Sequence, residues 1–264
     1  MGTRSPAAPA RDGPTGLVTL AIDVGGNGLK VAVLGAAGEM LSERVRVETP
    51  RPAHPDQLVA TLRELARPLP AYDRVSVGFP GMVRGGRVLT APNLVRHRGR
   101  RGRVSAKAAA AWEGFDLAGV LSTALGAPTK VVNDASMQGA AVVSGHGLEW
   151  VVTLGTGFGT ALFWDGKPTP HLELSHHPFH KGRTYDEYLG DAARHAVGNR
   201  RWNKRVLQAI EALDRLSYFD RVYVGGGNSR HVTIDLGPKA RLVDNTAGIL
   251  GGIRVWDSEP AGTG

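Results

Sequence analysis

Two glycine-rich segments, about half a chain apart, each lie between apolar runs that have the composition of β-strands: DVGGNGLK over residues 23–30 and LGTGFGT over residues 154–160. Glycine has no Cβ and tolerates positive φ, so a strand–turn–strand built from it can bring backbone N–H groups against phosphate oxygens. Any tight hairpin also needs glycine, so one such turn alone would fit a purely structural role. Two turns in matching positions, with an Asn-Asp pair at 133–134 between them, predict a phosphate-binding cleft.

The composition is that of a folded globular protein, with 42% hydrophobic and 21% charged residues in 264. No run approaches the roughly 18 apolar residues of a membrane span, so we expect no membrane partner. The absence of cysteine excludes disulfides and thiolate metal sites and favours a reducing, cytoplasmic compartment. Residues 1–16 are rich in Pro, Ala, Gly and Arg and are predicted to form a disordered tail.

The chain carries excess positive charge, with 32 Lys and Arg against 24 Asp and Glu and a formal net charge of +8. Much of it lies between Arg96 and Lys107, which we predict to be a mobile basic loop. A second cluster consists of Arg200, Arg201, Lys204 and Arg205. The loop is interpreted as a solvated insertion, a nucleic-acid contact or a contact for a phosphate-rich substrate. Because no aromatic residue lies among its arginines to stack on bases, nucleic acid is the least favoured of the three.

The order of apolar runs and helical periodicities predicts an α/β fold. Strands are predicted at 17–24, 29–34, 41–47, 75–79, 129–132, 150–154, 160–164 and 221–224. Helices are predicted at 56–67, 117–125, 134 to about 145, 185–197, 203–216 and about 246–256. A strand meander followed by helix, strand and helix occurs twice, which indicates two similar halves with a cleft between them.

The glycine-rich turns and the Asn-Asp pair, in their order along the chain, resemble the corresponding segments of the ROK family of sugar kinases, within the actin and hexokinase superfamily. The likeness is in particular to its bacterial polyphosphate glucokinases. The likeness extends from Val18 to Trp256. It implies the two-lobed actin/hexokinase-like (ribonuclease H-like) fold. It further implies one lobe formed by residues 17–132 with the helix at 246–256, a second lobe formed by residues 133–245, and a homodimer.

The resemblance assigns the glycine-rich segments to phosphate and nucleotide binding. The phosphate-binding residues that it implies are Gly25, Gly26, Asn27, Lys30, Gly155, Thr156, Gly157, Gly159 and Thr160; the nucleotide-binding residues are Gly225, Gly226 and Gly227. Asp23 would hold hydrated Mg²⁺, a cation that prefers carboxylate oxygens and retains water. Lys30 either points towards the cleft or covers the meander.

Asp134 is the predicted catalytic base. A hexose hydroxyl is a poor nucleophile, so a positioned carboxylate must accept its proton during phosphoryl transfer. The alternative for Asp134 is a purely structural helix N-cap. The resemblance implies that the sugar ligands are Asn93, Asn133, Glu173, His176 and Glu187. Amides suit a polyol because they both donate and accept hydrogen bonds.

The sequence departs from the family pattern at three places. Asn27 stands where Thr or Ser is common, which would weaken or retune a phosphate contact. Ser175 replaces a glycine, and His177 directly follows His176, so either histidine could face the sugar. Without cysteine, His176 is not expected to bind zinc in the manner of many ROK proteins.

The sequence therefore predicts a Mg²⁺-dependent kinase that transfers a phosphoryl group from polyphosphate, or from ATP, to the 6-hydroxyl of glucose. The alternatives are an ATP-only glucokinase, a kinase for mannose or an N-acetylated sugar, a non-catalytic sugar sensor or regulator, and a homologue that folds without turnover. A regulator of this family would need a helix-turn-helix domain before Leu17, where we expect no room for one and hence no DNA partner.

Overall fold

A computed structural model of the protein describes residues 16–97, 102–243 and 247–256. Residues 1–15 of the predicted tail, 98–101 of the predicted basic loop and residue 246 of the predicted last helix lie outside the described residues. The strands are β1 (Thr19–Val24), β2 (Leu29–Leu34), β3 (Val45–Val47), β4 (Arg74–Phe79), β5 (Val83–Arg84), β6 (Arg87–Val88), β7 (Phe115–Asp116), β8 (Thr129–Asn133), β9 (Leu148–Leu154), β10 (Phe158–Trp164), β11 (Lys167–Pro168), β12 (Pro178–His180), β13 (Arg183–Thr184), β14 (Arg221–Gly225) and β15 (Ala240–Leu242).

The helices are α1 (Pro55–Ala66), α2 (Ala106–Trp112), α3 (Leu117–Leu125), α4 (Asp134–Val142), α5 (Tyr185–Leu189), α6 (Asp191–Ser217) and α7 (Ala247–Arg254), with a 3₁₀ turn at Ser229–His231. Their limits follow local signals. In α1, Pro55 occupies the first turn, and Leu58 and Leu62 are buried at helical spacing. Helix α3 ends at Gly126, which adopts the left-handed conformation with φ 69°.

Two five-stranded sheets with the same topology form the frame of the molecule. The first has the order β3-β2-β1-β4-β8 and the second β11-β10-β9-β14-β15. In each sheet, the first three strands in this order are antiparallel and the last two join in parallel. The two similar halves and the α/β fold class predicted from the sequence are thereby confirmed.

Each sheet has its own apolar core. Phe79 and Trp112 are buried beside β1 and β4 in the first core, whereas Trp150, Phe158 and Trp202 are buried in the second. Helices α4 and α7 pack against each other; α4 also contacts strands of both sheets, and α7 contacts β1. The segment leading from β8 into α4 therefore passes from one sheet to the other, and it carries the Asn-Asp pair.

The structure corrects two predicted elements. The predicted mobile loop at 96–107 is structured at both described ends, because Arg96 bridges to Val104 and helix α2 begins at Ala106 and includes Lys107. Ser105 caps that helix by accepting from the Ala108 N–H. The helix predicted at 185–197 is interrupted after α5 by Gly190, and α6 contains a non-helical residue, Gly198, with φ 75°.

Candidate active site

A cavity of about 680 Å³ lies where the two glycine-rich turns meet the start of α4. It brings together most of the site residues predicted from the sequence: Asp23, Gly25, Gly26, Asn27, Lys30, Asn93, Asn133, Asp134, Gly155, Thr156, Gly157, Gly159, Thr160, Glu173, His176, Gly226 and Gly227. Its lining does not include Gly225 or Glu187. Residues distant in sequence thus converge on one concave surface, as expected of a ligand site.

Asp134 is the first residue of α4 and is half-buried in the cavity wall. Burial raises the pKa of its carboxyl to about 7, and the neighbouring Asp23 adds to the rise, whereas the Ala135 N–H and His171 oppose it. The N-cap of α4 is Asn133, so the structural alternative considered for Asp134 belongs to its neighbour. A carboxyl that titrates near neutral pH is suited to accept a proton from an alcohol.

The two predicted sugar-binding amides differ in their engagement with the protein. Asn133 is buried; its amide donates to the Gly81 carbonyl at 3.1 Å, and its oxygen accepts from the Ala135 N–H at 2.9 Å. This leaves Asn133 one remaining amide hydrogen. Asn93 lies in the cavity wall, and its backbone carbonyl accepts from Arg51 at 3.5 Å.

The first glycine-rich turn, residues 25–28, connects β1 to β2 and is closed by the Gly25 N–H donating to the Gly28 carbonyl at 2.9 Å. Beside it, Lys30 Nζ lies 2.6 Å from Asp23 Oδ2, and both side chains line the cavity. The orientation of Lys30, left open by the sequence, is therefore towards the cavity. The Asp23 carboxylate beside a glycine-rich turn is the kind of ligand that Mg²⁺ takes, since this cation uses one or two protein carboxylates together with substrate phosphates and water.

Arg51 holds the first turn from outside. Its Nη2 donates to the Gly26 carbonyl and to Asn27 Oδ1, the latter at 2.6 Å. Through its contact with the Asn93 carbonyl, the same guanidinium reaches the part of the cavity where the sequence predicts a sugar ligand. Asn27, which departs from the family pattern, is thus a partner of Arg51. The shorter side chain of a Thr or Ser at this position would reach less far towards the guanidinium.

The second glycine-rich turn, residues 155–157, connects β9 to β10 and is held by residues from later segments of the chain. Asp186, in the first turn of α5, accepts from the Phe158 N–H at 2.7 Å. The Gly155 carbonyl accepts from the Asp191 N–H at 3.0 Å and from Asn228 Nδ2 at 3.1 Å. Thr160 is buried and donates to the Leu172 carbonyl at 3.4 Å, so its hydroxyl ties β10 to the segment that follows it.

The third glycine segment begins inside a strand. Gly225 is the last residue of β14, and Gly226 turns the chain with φ 89°. A Cβ at Gly226 would collide with the backbone of Leu154, so the close approach of the third segment to the second turn requires glycine. Only Gly226 and Gly227 of the three predicted nucleotide-binding residues reach the cavity lining.

The segment 171–176 forms a further wall of the cavity. We call it the acceptor wall, after the sugar contacts that the sequence predicts for Glu173 and His176. Glu173 accepts from the hydroxyl of Ser175 and from its N–H, the latter at 3.2 Å. Burial alone would raise the pKa of Glu173, but the nearby imidazole of His171, followed by the Ser175 hydroxyl and His176, outweighs it and holds that pKa below its usual range. His176 lines the cavity, whereas His177 is exposed outside it with Nδ1 2.8 Å from the Pro178 carbonyl.

Glu187 does not join the other predicted sugar ligands. Its carboxylate accepts from the Thr184 N–H at 3.0 Å, and its own N–H donates to the Thr184 hydroxyl, forming a capping box at the start of α5. This pairing satisfies two backbone donors at the helix end. The structure thus gives Glu187 a helix-capping position on the surface.

Several cavity residues were missed by sequence reasoning: Arg51, Gln138, His171, Asp186 and Asp191. The sequence contains a local signal for Asp186 and Asp191, because each is an acidic residue in the first turn of a helix. His171 lies two residues before Glu173 and could have been noticed by proximity. Arg51 had no local signal, because its contacts depend on how segments 24 to 42 residues apart come together.

Neither basic cluster reaches the cavity within the described part of the chain: none of its lining residues belongs to 96–107 or to 200–205. Arg205 instead donates to the Tyr188 carbonyl and lies 4.2 Å over the Tyr188 ring. Within the described ranges, no group of three or more His, Asp or Glu side chains is arranged to hold a metal ion. No helix in those ranges is long and apolar enough to cross a membrane.

Comparison with known proteins agrees with the family resemblance found in the sequence. The model of the ROK family matches residues 19–171. A polyphosphate glucokinase of Mycobacterium tuberculosis is 26% identical over 249 residues, which cover 87% of this chain and 88% of that protein. The crystal structure of an inorganic polyphosphate/ATP-glucomannokinase from Arthrobacter sp. strain KM is similar with a TM-score of 0.76 and 27% identity, covering 91% of this chain and 99% of that one.

A ROK family glucokinase from Streptomyces griseus, solved with glucose and AMPPNP, has a TM-score of 0.67 and 18% identity over 90% of this chain and 98% of its own. At this identity the likeness concerns the fold, and it agrees with the actin/hexokinase-like architecture expected from the sequence.

Proposed function

Since the chain belongs to the ROK family, we propose that it is a hexose kinase that transfers a phosphoryl group from polyphosphate or ATP to the 6-hydroxyl of glucose. The observation that carries the proposal is the position of Asp134. Its carboxyl, with a pKa raised to about 7, lines the same cavity as both glycine-rich turns and the acceptor wall. A base, phosphate cradles and sugar-binding polar groups are the components that phosphoryl transfer to an alcohol requires.

In this mechanism, Asp134 accepts the proton of the hexose hydroxyl as its oxygen attacks the terminal phosphorus. The bond from that phosphorus to the bridging oxygen breaks, and the shortened polyphosphate, or ADP, leaves. Asn93, Asn133, Glu173 and His176 orient the sugar, and the backbone N–H groups of the turns at 25–28 and 155–157 hold the donor phosphates. Mg²⁺ near Asp23 would neutralise charge on those phosphates. Residues 17–132 with the last helix, and residues 133–245, would form the two lobes around the cavity.

Polyphosphate is the preferred donor in this proposal. The polyphosphate glucokinase of M. tuberculosis and the polyphosphate/ATP-glucomannokinase of Arthrobacter support it. A linear polyanion longer than the cavity would pass over the surface, where the two basic clusters could attract it by charge. Raising the ionic strength should then weaken the use of polyphosphate more than the use of ATP, and an equal effect on both donors would remove the role of the clusters.

The test of the proposed function is an assay for hexose 6-phosphate with Mg²⁺ that compares polyphosphate and ATP at matched salt. Glucose, mannose and N-acetylmannosamine serve as acceptors, the last because an N-acetylmannosamine kinase of Salmonella newport is 32% identical over 57% of this chain. Turnover of glucose with polyphosphate is expected. The absence of turnover with every donor and acceptor, in protein that still binds glucose, would favour a sugar sensor instead.

A further inference from the structure

A buried histidine in the acceptor wall lacks hydrogen-bond partners. The side chain of His171 is only 8% exposed, and His171 lines the cavity. Among the described residues, neither Nδ1 nor Nε2 of its ring has a hydrogen-bond partner. Since buried polar side-chain atoms are nearly always hydrogen-bonded in native proteins, the missing partner is expected to come from whatever occupies the cavity.

The distance between His171 and Glu173 indicates what that partner is. His171 Nε2 lies 4.0 Å from Glu173 Oε2, which is beyond a direct hydrogen bond. A hydroxyl oxygen can lie about 2.8 Å from both atoms, where it accepts from the imidazole N–H and donates its own hydrogen to the carboxylate. The negative charge of Glu173 disfavours a carboxylate or phosphate at the same point.

Contacts with neighbouring residues hold both sides of the gap between His171 and Glu173. Ser175 engages Glu173 through Oε1, and Oε2 is the oxygen that faces His171. On the other side, the Leu172 carbonyl next to His171 accepts from the hydroxyl of Thr160 in β10. Because both ends of the gap are held by neighbouring residues, it exists before any ligand arrives, which lowers the cost of ordering the site on binding.

We propose that His171 is a sugar-binding residue, which, together with Glu173, bridges one hydroxyl group of the acceptor hexose and thereby selects its configuration. This inference rests on the proposed function, since it takes the cavity ligand to be a hexose. It places His171 on the acceptor side of the reaction. A site that hydrogen-bonds a hydroxyl discriminates strongly against an analogue that lacks it, because its own buried polar groups are then left unpaired.

The experiment measures binding of glucose and of each monodeoxyglucose by calorimetry, without donor, to the wild type, His171→Phe and His171→Gln. We expect glucose to bind His171→Phe about 10- to 100-fold more weakly. We also expect the wild type to reject one monodeoxyglucose strongly and His171→Phe to bind that sugar and glucose about equally, because the contact is already gone. Glutamine should restore part of the affinity through its N–H. His177→Phe, which alters the exposed histidine outside the cavity, is the matched control and should bind as the wild type does.

Two outcomes would overturn the role of His171 while hexose binding is retained. One is unchanged glucose affinity in His171→Phe, and the other is an equal loss of affinity for every monodeoxyglucose. A wild-type protein that binds no hexose would overturn the proposed function as well. If His171→Phe does not fold, as judged by circular dichroism, the same comparison is made with His171→Ala.

Discussion

The two glycine-rich turns of the cavity have similar sequences, but charged side chains of opposite sign contact them. The first turn is held through its oxygen atoms by a cation, because Arg51 donates to the Gly26 carbonyl and the Asn27 side chain. The second turn is held by an anion, because Asp186 accepts from the Phe158 N–H, and also by neutral donors to the Gly155 carbonyl. Glycine content therefore does not set the charge around a turn, since Arg51 and Asp186, which lie elsewhere in the chain, give the two turns charged contacts of opposite sign.

This difference has a consequence for anion binding. The guanidinium of Arg51 adds positive charge beside the first turn, so it would attract phosphate as well as hold the loop. The carboxylate of Asp186 holds the second turn but repels phosphate at the same time. We therefore expect the first turn to contribute more to donor affinity and the second more to the position of the backbone.

Substitution of Asp134, which belongs to neither turn, is expected to have the largest effect on turnover. Asp134→Asn should lower turnover by about 10²- to 10⁴-fold, because the base is lost, while glucose affinity changes little. Steady-state kinetics and calorimetry with glucose measure the two quantities. Glu187→Gln, which changes an exposed carboxylate outside the cavity lining, serves as the control. Turnover of Asp134→Asn close to that of the wild type would mean that another group is the base.

Removal of Arg51 should have the next largest effect. Arg51→Ala is expected to raise the KM for the donor about 10- to 100-fold, since both a charge and the hydrogen bonds to the first turn disappear. The affinity for sugar should fall less, because the contact with the Asn93 carbonyl is long at 3.5 Å. Arg63→Ala, on the exposed side of α1, is the matched control. An equal loss for donor and sugar would contradict the assignment of Arg51 to the first turn.

Removal of the carboxylate that holds the second turn is expected to have a smaller effect on the KM for the donor. Asp186→Ala leaves the Phe158 N–H without its acceptor and should raise the donor KM about 3- to 30-fold, partly offset by the removal of a negative charge. Asp186→Asn should restore most of the affinity because an amide oxygen can still accept. Asp165→Asn is a matched control, since Asp165 accepts from the Gly147 N–H at 2.8 Å outside the cavity. If Asp186→Asn were as impaired as Asp186→Ala, the charge of Asp186 would matter rather than its hydrogen bond.

The smallest effect is expected for Asn27, whose side chain is exposed. Asn27→Ala should raise the donor KM only about two- to fivefold by removing one contact of Arg51. In the Arg51→Ala background the same substitution should have no further effect, because the two side chains act together. Steady-state kinetics of the four proteins in this cycle measure the coupling, and additive effects would show that Asn27 acts independently of Arg51.

The sequence predicted the architecture well because its strongest signals are local. The glycine turns, the strand alternation and the periodicity of α1 and α3 each depend on neighbouring residues, and their order indicated the two-halved fold that the structure shows. Helix α2 was missed because basic residues dominated the interpretation of the segment, although Ser105 before an alanine run was a readable cap.

The site was predicted only in part, because the sequence shows local composition but not contacts between distant segments. Residues inside the turns were identified from composition, but Arg51 contacts them from another segment of the chain, and its role depends on tertiary structure. Glu187 shows a different case. The Thr184-x-x-Glu187 spacing is that of a capping box, a local signal in agreement with the helix-capping contacts of the structure, and the sugar contact implied by the family resemblance stays a prediction.

The most direct test of the central claim is the pH dependence of kcat/KM for glucose phosphorylation. Asp134 must be deprotonated to act as the base, and burial raises its pKa to about 7. We therefore predict that kcat/KM rises about tenfold per pH unit below about pH 7 and levels off above it, and that the residual activity of Asp134→Asn lacks this rise. A wild-type profile that stays flat from about pH 5 to about pH 8 would contradict the assignment of Asp134 as the base.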